Sequence, residues 1–340
     1  MEALSAVYGT AATWRRRWYA RSPARTRHLS RPVISIGNLR VGGTGKTPAV
    51  ACIARLLLER GERPAILSRG YRREKAAGGV TVVSTGSRVL ADFAHAGDEP
   101  LLLARTLPGV PVLVCASRYA AGLRAEEEFA ATVHLLDDGF QHVALARDVD
   151  LLLADARDLD DRVVPAGRLR EPIANASVAD AVLVPGDSAD TARMVARRLG
   201  VGSAFRTMKR LGTPFMLRRA DRPLGAATPV FAVAGIERPE RFFDDARGSG
   251  LNVAGTMAFR DHHAFRPADV ARIVAAARAV RAEVIVTTEK DAIRLEPHDL
   301  SAMPFVVVPL LTRIEPADAF ADWLTARLER ARAASGRARP

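Results

Sequence analysis

The segment Val41-Gly-Gly-Thr-Gly-Lys-Thr-Pro48 decides how this chain is read. It follows an apolar strand-like run, Val33 to Gly37, and leads into an apolar-periodic helix from about Lys46 to Arg60. Glycines in such a loop let successive backbone N–H groups point inward as an anion nest, and the helix start adds the positive end of its dipole. Val41, Gly42, Gly43, Thr44, Gly45, Lys46 and Thr47 then wrap nucleotide phosphates. Lys46 reaches the β/γ-phosphates and the Thr47 hydroxyl ligates Mg2+. The strict G-x-x-x-x-G-K-[ST] pattern is missed, because its first glycine falls on Arg40. The strand–loop–helix context and the three remaining glycines carry the reading over its weaker alternative, a mere tight turn.

Outward from the loop, short buried strands are expected at Pro64 to Ser68, Val80 to Ser84, Val112 to Cys115, Val133 to Leu136, Asp150 to Ala154 and Ala181 to Pro185. Helical patterns fall at Arg118 to Phe129 and Thr191 to Leu199. This alternation implies βαβ units and a parallel sheet covered on both faces. The pattern weakens near Arg206 to Arg222. A second alternation follows, with strands at Pro229 to Ala234, Val284 to Thr288 and Phe305 to Pro309, and helices at Arg238 to Ala246, Ala268 to Ala282 and about Pro316 to Arg332. The expected architecture is an α/β chain: an N-terminal helix over 1–30, a P-loop NTPase-type α/β/α sandwich over 31–208, a linker over 209–225, and a smaller α/β domain over 226–340 ending in a basic helix. A length of 340 residues, 48% of them apolar and 26% charged, suits two folded domains. Cys52 and Cys115 have no metal-like spacing and imply no disulfide framework.

The net charge of +12 is not spread evenly. Residues 1–31 hold seven arginines against Glu2, and residues 323–340 hold five against Glu329, so the two ends carry ten of the twelve excess charges. Basic ends on a nearly neutral body suit a polyanionic surface such as an anionic membrane. The body lacks the aromatic-interleaved basic stripe that single-stranded nucleic acid needs, so nucleic acid is not expected as a partner. Within the first twenty residues, Leu4, Val7 or Tyr8, Ala11, Trp14 and Trp18 recur at helical spacing, with Arg15, Arg16, Arg17 and Arg21 near the end. No apolar run reaches the ~20 residues of a spanning helix. The charges follow the apolar stretch, which makes a poor signal peptide. Two readings stand side by side: an interfacial helix with tryptophans at headgroup depth and arginines on lipid phosphates, or a helix docked on the protein's own core.

Further motifs supply chemistry. Leu135-Leu-Asp-Asp-Gly-Phe-Gln-His142 places Asp137 and Asp138 at the end of a buried strand, like a Walker B aspartate beside a P-loop. An Asp-Asp-Gly turn is the alternative, and which of the two acids touches a metal stays open. Ala96-Gly-Asp-Glu-Pro100 is a polar turn whose ordinary reading is a helix cap. Pro165-Ala-Gly-Arg-Leu-Arg-Glu-Pro172 offers Arg170 and Glu171 to a phosphate-and-metal centre. Arg260-Asp-His-His-Ala-Phe265 holds two adjacent histidines that cannot both face one site on a regular element. Only four of the 50 basic side chains are lysine, which draws attention to Lys46 and to Lys290 in Thr287-Thr-Glu-Lys-Asp291.

In this order, and with Ser35-Ile-Gly-Asn-Leu39, Leu67-Ser-Arg-Gly-Tyr71 and Ala234-Gly-Ile236, the motifs resemble the tetraacyldisaccharide 4'-kinase family of lipid A biosynthesis. They span Val33 to Asp291, and the family itself lacks a glycine where Arg40 stands. The resemblance implies transfer of the γ-phosphate of ATP, with Mg2+, to the 4'-hydroxyl of a tetraacyldisaccharide 1-phosphate, giving lipid IVA. It implies Asp98 as the base supported by His262, a pair drawn from two domains that close on substrate. Arg170 is implied as a charge stabiliser on the moving phosphoryl group beside Lys46. Metal ligation falls to Thr47, to one of Asp137 and Asp138, and to Glu171. Substrate contacts fall to Asn38, Arg69, Tyr71 and Arg118. The implied protein is a monomer at the cytoplasmic face of a Gram-negative inner membrane, its N-terminal helix interfacial. A P-loop switch ATPase is the rival class. Those ATPases commonly carry a lysine where this chain has Val41, and the Asp-His-His segment does not suit them.

Overall fold

In the computed structural model, β1 (Val33–Asn38) is buried along its whole length and lies inside a nine-stranded sheet. The structure describes residues 1–70, 73, 78–217, 225, 227–334 and 336. Helix α1 (Glu2–Ala20) precedes β1. After it come α2 (Lys46–Glu59), β2 (Pro64–Ser68), β3 (Thr81–Thr85), α3 (Phe93–Ala96), α4 (Asp98–Thr106), β4 (Pro111–Val114) and α5 (Arg118–Phe129). Then follow β5 (Val133–Asp137), β6 (Val149–Leu153), β7 (Ala181–Pro185), α6 (Ala189–Leu199), β8 (Ala204–Leu211) and β9 (Phe215–Met216). The remaining elements are β10 (Pro229–Ala234), α7 (Pro239–Gly248), β11 (Asn252–Ala258), α8 (Pro267–Ala279), β12 (Val284–Thr288), α9 (Glu289–Leu295), β13 (Phe305–Val308), β14 (Leu310–Glu315) and α10 (Ala317–Ala334).

The large sheet has the order β14-β8-β7-β6-β1-β5-β2-β4-β3, and the small one β11-β10-β12-β13-β9. β1 pairs in parallel with both β5 and β6, so the chain moves outward from it in both directions. That arrangement opens a crevice at the carboxyl ends of the central strands, where open α/β sheets bind ligands. The register sets Ile36 opposite Asp137, which puts the glycine loop beside the end of β5. The expected α/β architecture with a central P-loop strand is the one observed.

Contacts divide the chain into two units, Met1–Met208 with Thr312–Pro340, and Lys209–Leu311. The sequence reading had carried the second domain to residue 340. Instead α10 belongs with the first unit. It buries Phe320, Leu324 and Leu328, stacks Phe320 edge-on against Phe205, and pairs Arg332 with the buried Glu62 at 2.8 Å. The expected linker also starts too early, since β8 continues through Leu211; residues 218–224 and 226 lie outside the described ones. β3 is an antiparallel edge strand with partly exposed positions, rather than another buried parallel one. β8, β9, β11 and β14 were not expected. β11 has the composition Asn-Val-Ala-Gly-Thr-Met-Ala, with few of the β-branched and aromatic residues that mark a strand.

Close backbone approach explains one glycine in the site's frame. A Cβ on Gly37 would stand 2.5 Å from Phe140 Cβ and 2.7 Å from its backbone nitrogen. β1 and the turn after β5 can therefore touch only because residue 37 has no side chain. Gly37→Ala is expected to cost ~1–3 kcal/mol through overpacking, read as a lowered Tm. Gly202→Ala, at an open position, is expected to change stability by less than about 1 kcal/mol. Equal melting of the two variants would contradict this account.

Candidate active site

Asn38, the last residue of β1, is where the site's elements meet. A short antiparallel ladder ties the glycine loop to the Pro165–Pro172 segment: Arg170 N–H donates to the Leu39 carbonyl at 2.5 Å, and Val41 N–H to the Arg168 carbonyl at 2.7 Å. The ladder delivers the Arg170 guanidinium to Asn38, where it donates to the backbone carbonyl at 3.2 Å and to Oδ1. The same guanidinium forks onto Asp138 at 2.9 and 2.8 Å. Gly45, left-handed at φ 89°, turns the loop into α2, and Lys46 opens that helix. Lys46 Nζ donates to Asn38 Oδ1 at 3.2 Å and lies 3.6 Å from Asp138. Asn38, Lys46, Asp138 and Arg170 thus form one cluster, with two cations around one carboxylate.

The adjacent acids have opposite characters. Asp137, 2% exposed, accepts from Ser68 Oγ at 3.4 Å, while its Oδ1 is buried with no hydrogen-bond partner. Burial pushes its carboxyl up to about 7, helped by the charges of Glu99 and Asp138 and opposed by Lys46 and Arg118. Asp138 sits in the left-handed region at φ 55°, outside the strand. Burial works to raise its carboxyl as well, but the Arg170 hydrogen bonds and the charges of Lys46, Arg170 and Arg118 outweigh burial and hold it below the usual range. Mg2+ binds through few protein ligands and keeps several waters. The orphaned oxygen of Asp137 and the hydroxyl of Thr47, in the first turn of α2, fit that mode. Among the described residues no group of three or more His, Cys, Asp or Glu side chains is arranged to hold a metal.

Around this cluster the other expected residues divide. Asp98 opens α4 after Gly97 and is buried, with its carboxylate at the positive end of the helix. Glu99, assigned no role from the sequence, is near enough to Asp137 for its charge to help raise that carboxyl. Arg118 is buried at the start of α5, with its Nη1 donating to the Ala116 carbonyl at 3.2 Å. Burial and the neighbouring Arg69 lower it to about 10, against the pull of Asp137 and Asp138. Burial, with Arg118, Arg147, Arg15 and Arg69, lowers His142 to about 4, so its imidazole is neutral at neutral pH. Tyr71 lies outside the described residues.

Glu171, expected among the metal ligands, is engaged by side-chain donors instead. Its Oε1 accepts from Arg16 at 2.9 Å and from Gln141 at 2.8 Å; its Oε2 accepts from Arg16 and Asn175, both at 3.0 Å. Four donors saturate a buried carboxylate, so its role is to hold neighbouring elements together. Arg40, in the place of the missing glycine, is buried against Asp158 at 3.3 Å.

α1 docks and remains exposed at once. Ser5, Gly9, Thr13 and Arg16 form one helical stripe that meets residues 140–175. The Ala166 N–H donates to Ser5 Oγ at 2.9 Å, and a Cβ on Gly9 would press on Pro172 at 3.2 Å. Leu4, Val7, Tyr8, Trp14 and Trp18 stay 38–69% exposed. The apolar stripe read from the sequence is therefore the outward one. Arg15 and Arg16, expected on lipid phosphates, donate instead to the carbonyls of Gln141 and Phe140. Between α1 and residues 161–173 runs a groove of about 740 Å³. No helix of the described residues is long and apolar enough to cross a membrane.

In the second unit, the two histidines separate. His263 Nε2 pairs with Asp269 at 2.9 Å and its ring packs on Phe259 and Phe265. His262, left-handed at φ 57°, has its Nε2 3.1 Å from Lys290 Nζ and 3.6 Å from Asp261. Asp291, fully buried, accepts from Gly235 N–H at 2.9 Å and from Thr288 Oγ1 at 2.7 Å, and Arg294 donates to the His263 carbonyl at 3.2 Å. The Thr287–Asp291 motif thereby frames the His262 loop.

Cations gathered at the mouth of a glycine loop serve phosphoryl transfer, which asks for positioning and charge neutralisation more than for covalent chemistry. Fold and site together define a P-loop phosphotransferase. The family model described as Tetraacyldisaccharide-1-P 4'-kinase matches residues 1–329. A Tetraacyldisaccharide 4'-kinase of Geobacter metallireducens is 41% identical, covering 86% of this chain and 87% of its own. That of Koribacter versatilis is 38% identical over 97% and 99%. A crystal structure of LpxK from Aquifex aeolicus in complex with ATP aligns with TM-score 0.77 at 30% identity, covering 96% of this chain and 98% of that one. The chain belongs to the tetraacyldisaccharide-1-phosphate 4'-kinase family.

The titration of Asp137 has a measurable consequence. Its carboxyl holds a proton up to about 7 in the folded chain, against an ordinary value of 3.8. Between those values the folded state binds the extra proton, so this group's contribution to stability falls as pH rises through the window and is level above it. Asp137→Asn removes the penalty. In ligand-free protein its Tm advantage over wild type is expected to grow from pH 4 to about pH 7 and then stay constant. A Tm difference independent of pH would refute the assignment.

Proposed function

We propose that this chain transfers the γ-phosphate of ATP to the 4'-hydroxyl of a tetraacyldisaccharide 1-phosphate, giving lipid IVA for lipid A, with the Asn38–Lys46–Asp138–Arg170 cluster as the phosphate-binding machinery. The convergence of Lys46 and Arg170 on one strand-end carboxylate carries this reading. Backbone N–H groups of residues 42–47 and the start of α2 receive the phosphates, with Lys46 directed at the β/γ end, whereas the Val41 N–H expected among them is taken by the Arg168 carbonyl. Asp138 orients Lys46 and Arg170, so that both cations are in place before charge develops on the moving phosphoryl group. Thr47 and the unpartnered Oδ1 of Asp137 hold Mg2+, and Glu99 adds negative charge beside them. Bound there, the cation neutralises charge on the phosphate oxygens. Asn38, Arg69 and Arg118 bind substrate.

Asp98 accepts the proton of the sugar hydroxyl, since an alcohol is a poor nucleophile until its proton has somewhere to go. His262 is the residue proposed to support that transfer. The engagement of His263 with Asp269 and two phenylalanines favours His262 for the role. Asp98→Ala and His262→Ala are each expected to lower kcat for ATP-dependent lipid phosphorylation by roughly 10²–10⁴, with nucleotide binding retained. Near wild-type turnover in both would overturn the base assignment, and no lipid phosphorylation by wild type would overturn the reaction.

The acceptor is a lipid, and the outward stripe of α1 with Arg17 and Arg21 suits an anionic bilayer surface at the cytoplasmic face of the inner membrane. The protein acts there as a peripheral monomer. In sedimentation with anionic phospholipid vesicles, wild type is expected to bind and to be released by salt, while a Leu4→Glu/Trp14→Glu variant stays in the supernatant. Equal sedimentation of both proteins would exclude α1 as the contact.

A further inference from the structure

One side chain joins the outward-facing helix to the phosphate cluster. Arg16 is nearly buried, and its guanidinium makes three kinds of contact at once. It forks onto Glu171 at 3.0 and 2.9 Å, donates to the Phe140 carbonyl at 3.0 Å, and lies 4.4 Å from the Phe140 ring centroid. Phe140 stands two residues after Asp138, in a turn pinned to β1 by the Gly139 N–H on the Ile36 carbonyl at 3.1 Å. Glu171 also accepts from Gln141 Nε2, and that nitrogen donates to the Asn38 carbonyl at 2.9 Å. Asn38 Oδ1 in turn accepts from Lys46 and Arg170. Arg15 adds a parallel tie from the same helix to the Gln141 carbonyl at 2.9 Å. A continuous hydrogen-bonded path therefore runs from α1 to the lysine of the glycine loop.

We propose that Arg16 is a positioning residue for the phosphate-binding cluster: it fixes the turn that carries Asp138 and, through Glu171 and Gln141, fixes Asn38. This rests on the reading of that cluster as the ATP-phosphate site. Only arginine supplies a planar fork for Glu171 together with a further N–H for Phe140 and a flat face for its ring. Lysine at this position keeps the charge and loses the fork. Because the opposite face of α1 is the exposed apolar one, the seating of that helix and the geometry of the nucleotide loop become a single mechanical variable.

The test uses the full-length chain as wild type, Arg16→Ala, Arg16→Lys and Arg332→Ala. The last removes a buried ion pair with Glu62 outside this path, and so reports a purely structural loss. The readouts are the Kd of a fluorescent ATP analogue without lipid, Tm, and the KM for ATP and kcat with lipid acceptor. Arg16→Ala is expected to raise both Kd and KM for ATP about three- to thirtyfold. Arg16→Lys should recover only part of that loss, and Arg332→Ala should lower Tm while leaving both constants within about twofold. Arg16→Ala matching Arg332→Ala in Kd and KM overturns the proposal. Should Arg16→Ala fail to fold, wild-type constants in Arg16→Lys overturn it. Wild type failing to bind the analogue overturns instead the reading of the cluster as a nucleotide site.

Discussion

The Asp138 carboxylate between the Lys46 ammonium and the Arg170 guanidinium is the contact on which the arrangement of this site depends. Two cations brought to one strand end repel each other, and burial raises the cost of leaving either without a counter-charge. Asp138 offsets both effects, and its left-handed backbone sets it just beyond β5, clear of the buried strand. Three separate stretches of chain are held by this one group: the glycine loop through Lys46, the Pro165–Pro172 segment through Arg170, and the turn after β5 through Asp138 itself. The donors are therefore organised before any phosphate arrives. That is how a site lowers the reorganisation needed when charge develops.

Asp137 differs from its neighbour for a physical reason rather than a chemical one. The two side chains are the same acid, but Asp138 has a fork of hydrogen bonds and two cations, whereas Asp137 has burial and two nearby carboxylates. Environment pushes their titrations apart, and diverging titrations assign different tasks to like residues. A carboxyl pushed up to about 7, with an unpartnered oxygen, would gain a favourable partner in a divalent cation. A carboxylate already forked by Arg170, with Lys46 3.6 Å away, would gain less from the same cation.

Much of the first unit was legible because its signals are local. Glycine conformations, a helix start and acids at a strand end are all properties of a few consecutive residues, so the loop at 41–47 and the acids at 137–138 could be placed beside each other before any coordinates. The engagement of Glu171 was not legible because its surroundings are not local. Its partners are Arg16, Gln141 and Asn175, and a carboxylate's saturation cannot be read from its neighbours in sequence. Glu99 was passed over beside Asp98 for a similar reason, since its influence acts across to the end of β5. The terminal helix was given to the wrong unit because helical periodicity says which face is buried, but not against what. The roles of Asp98 and His262 came from resemblance rather than from a local pattern of residues.

α1 inverts the usual link between hydrophobicity and burial, and this has a mechanical reason. Small and polar residues at Ser5, Gly9 and Thr13 let the helix axis approach residues 140–175 closely and satisfy specific donors there. Large apolar residues on that face would hold the helix further away, and Arg16 could no longer span to Glu171 and Phe140. The apolar side chains are thereby left on the outside, where Leu4, Val7, Tyr8, Trp14 and Trp18 stay exposed. The same placement that leaves Trp14 exposed brings Arg16 to Glu171 and Phe140. On the reading proposed above, with a lipid acceptor and a water-soluble donor, one helix presenting both faces keeps the donor site in register with the surface from which the acceptor comes.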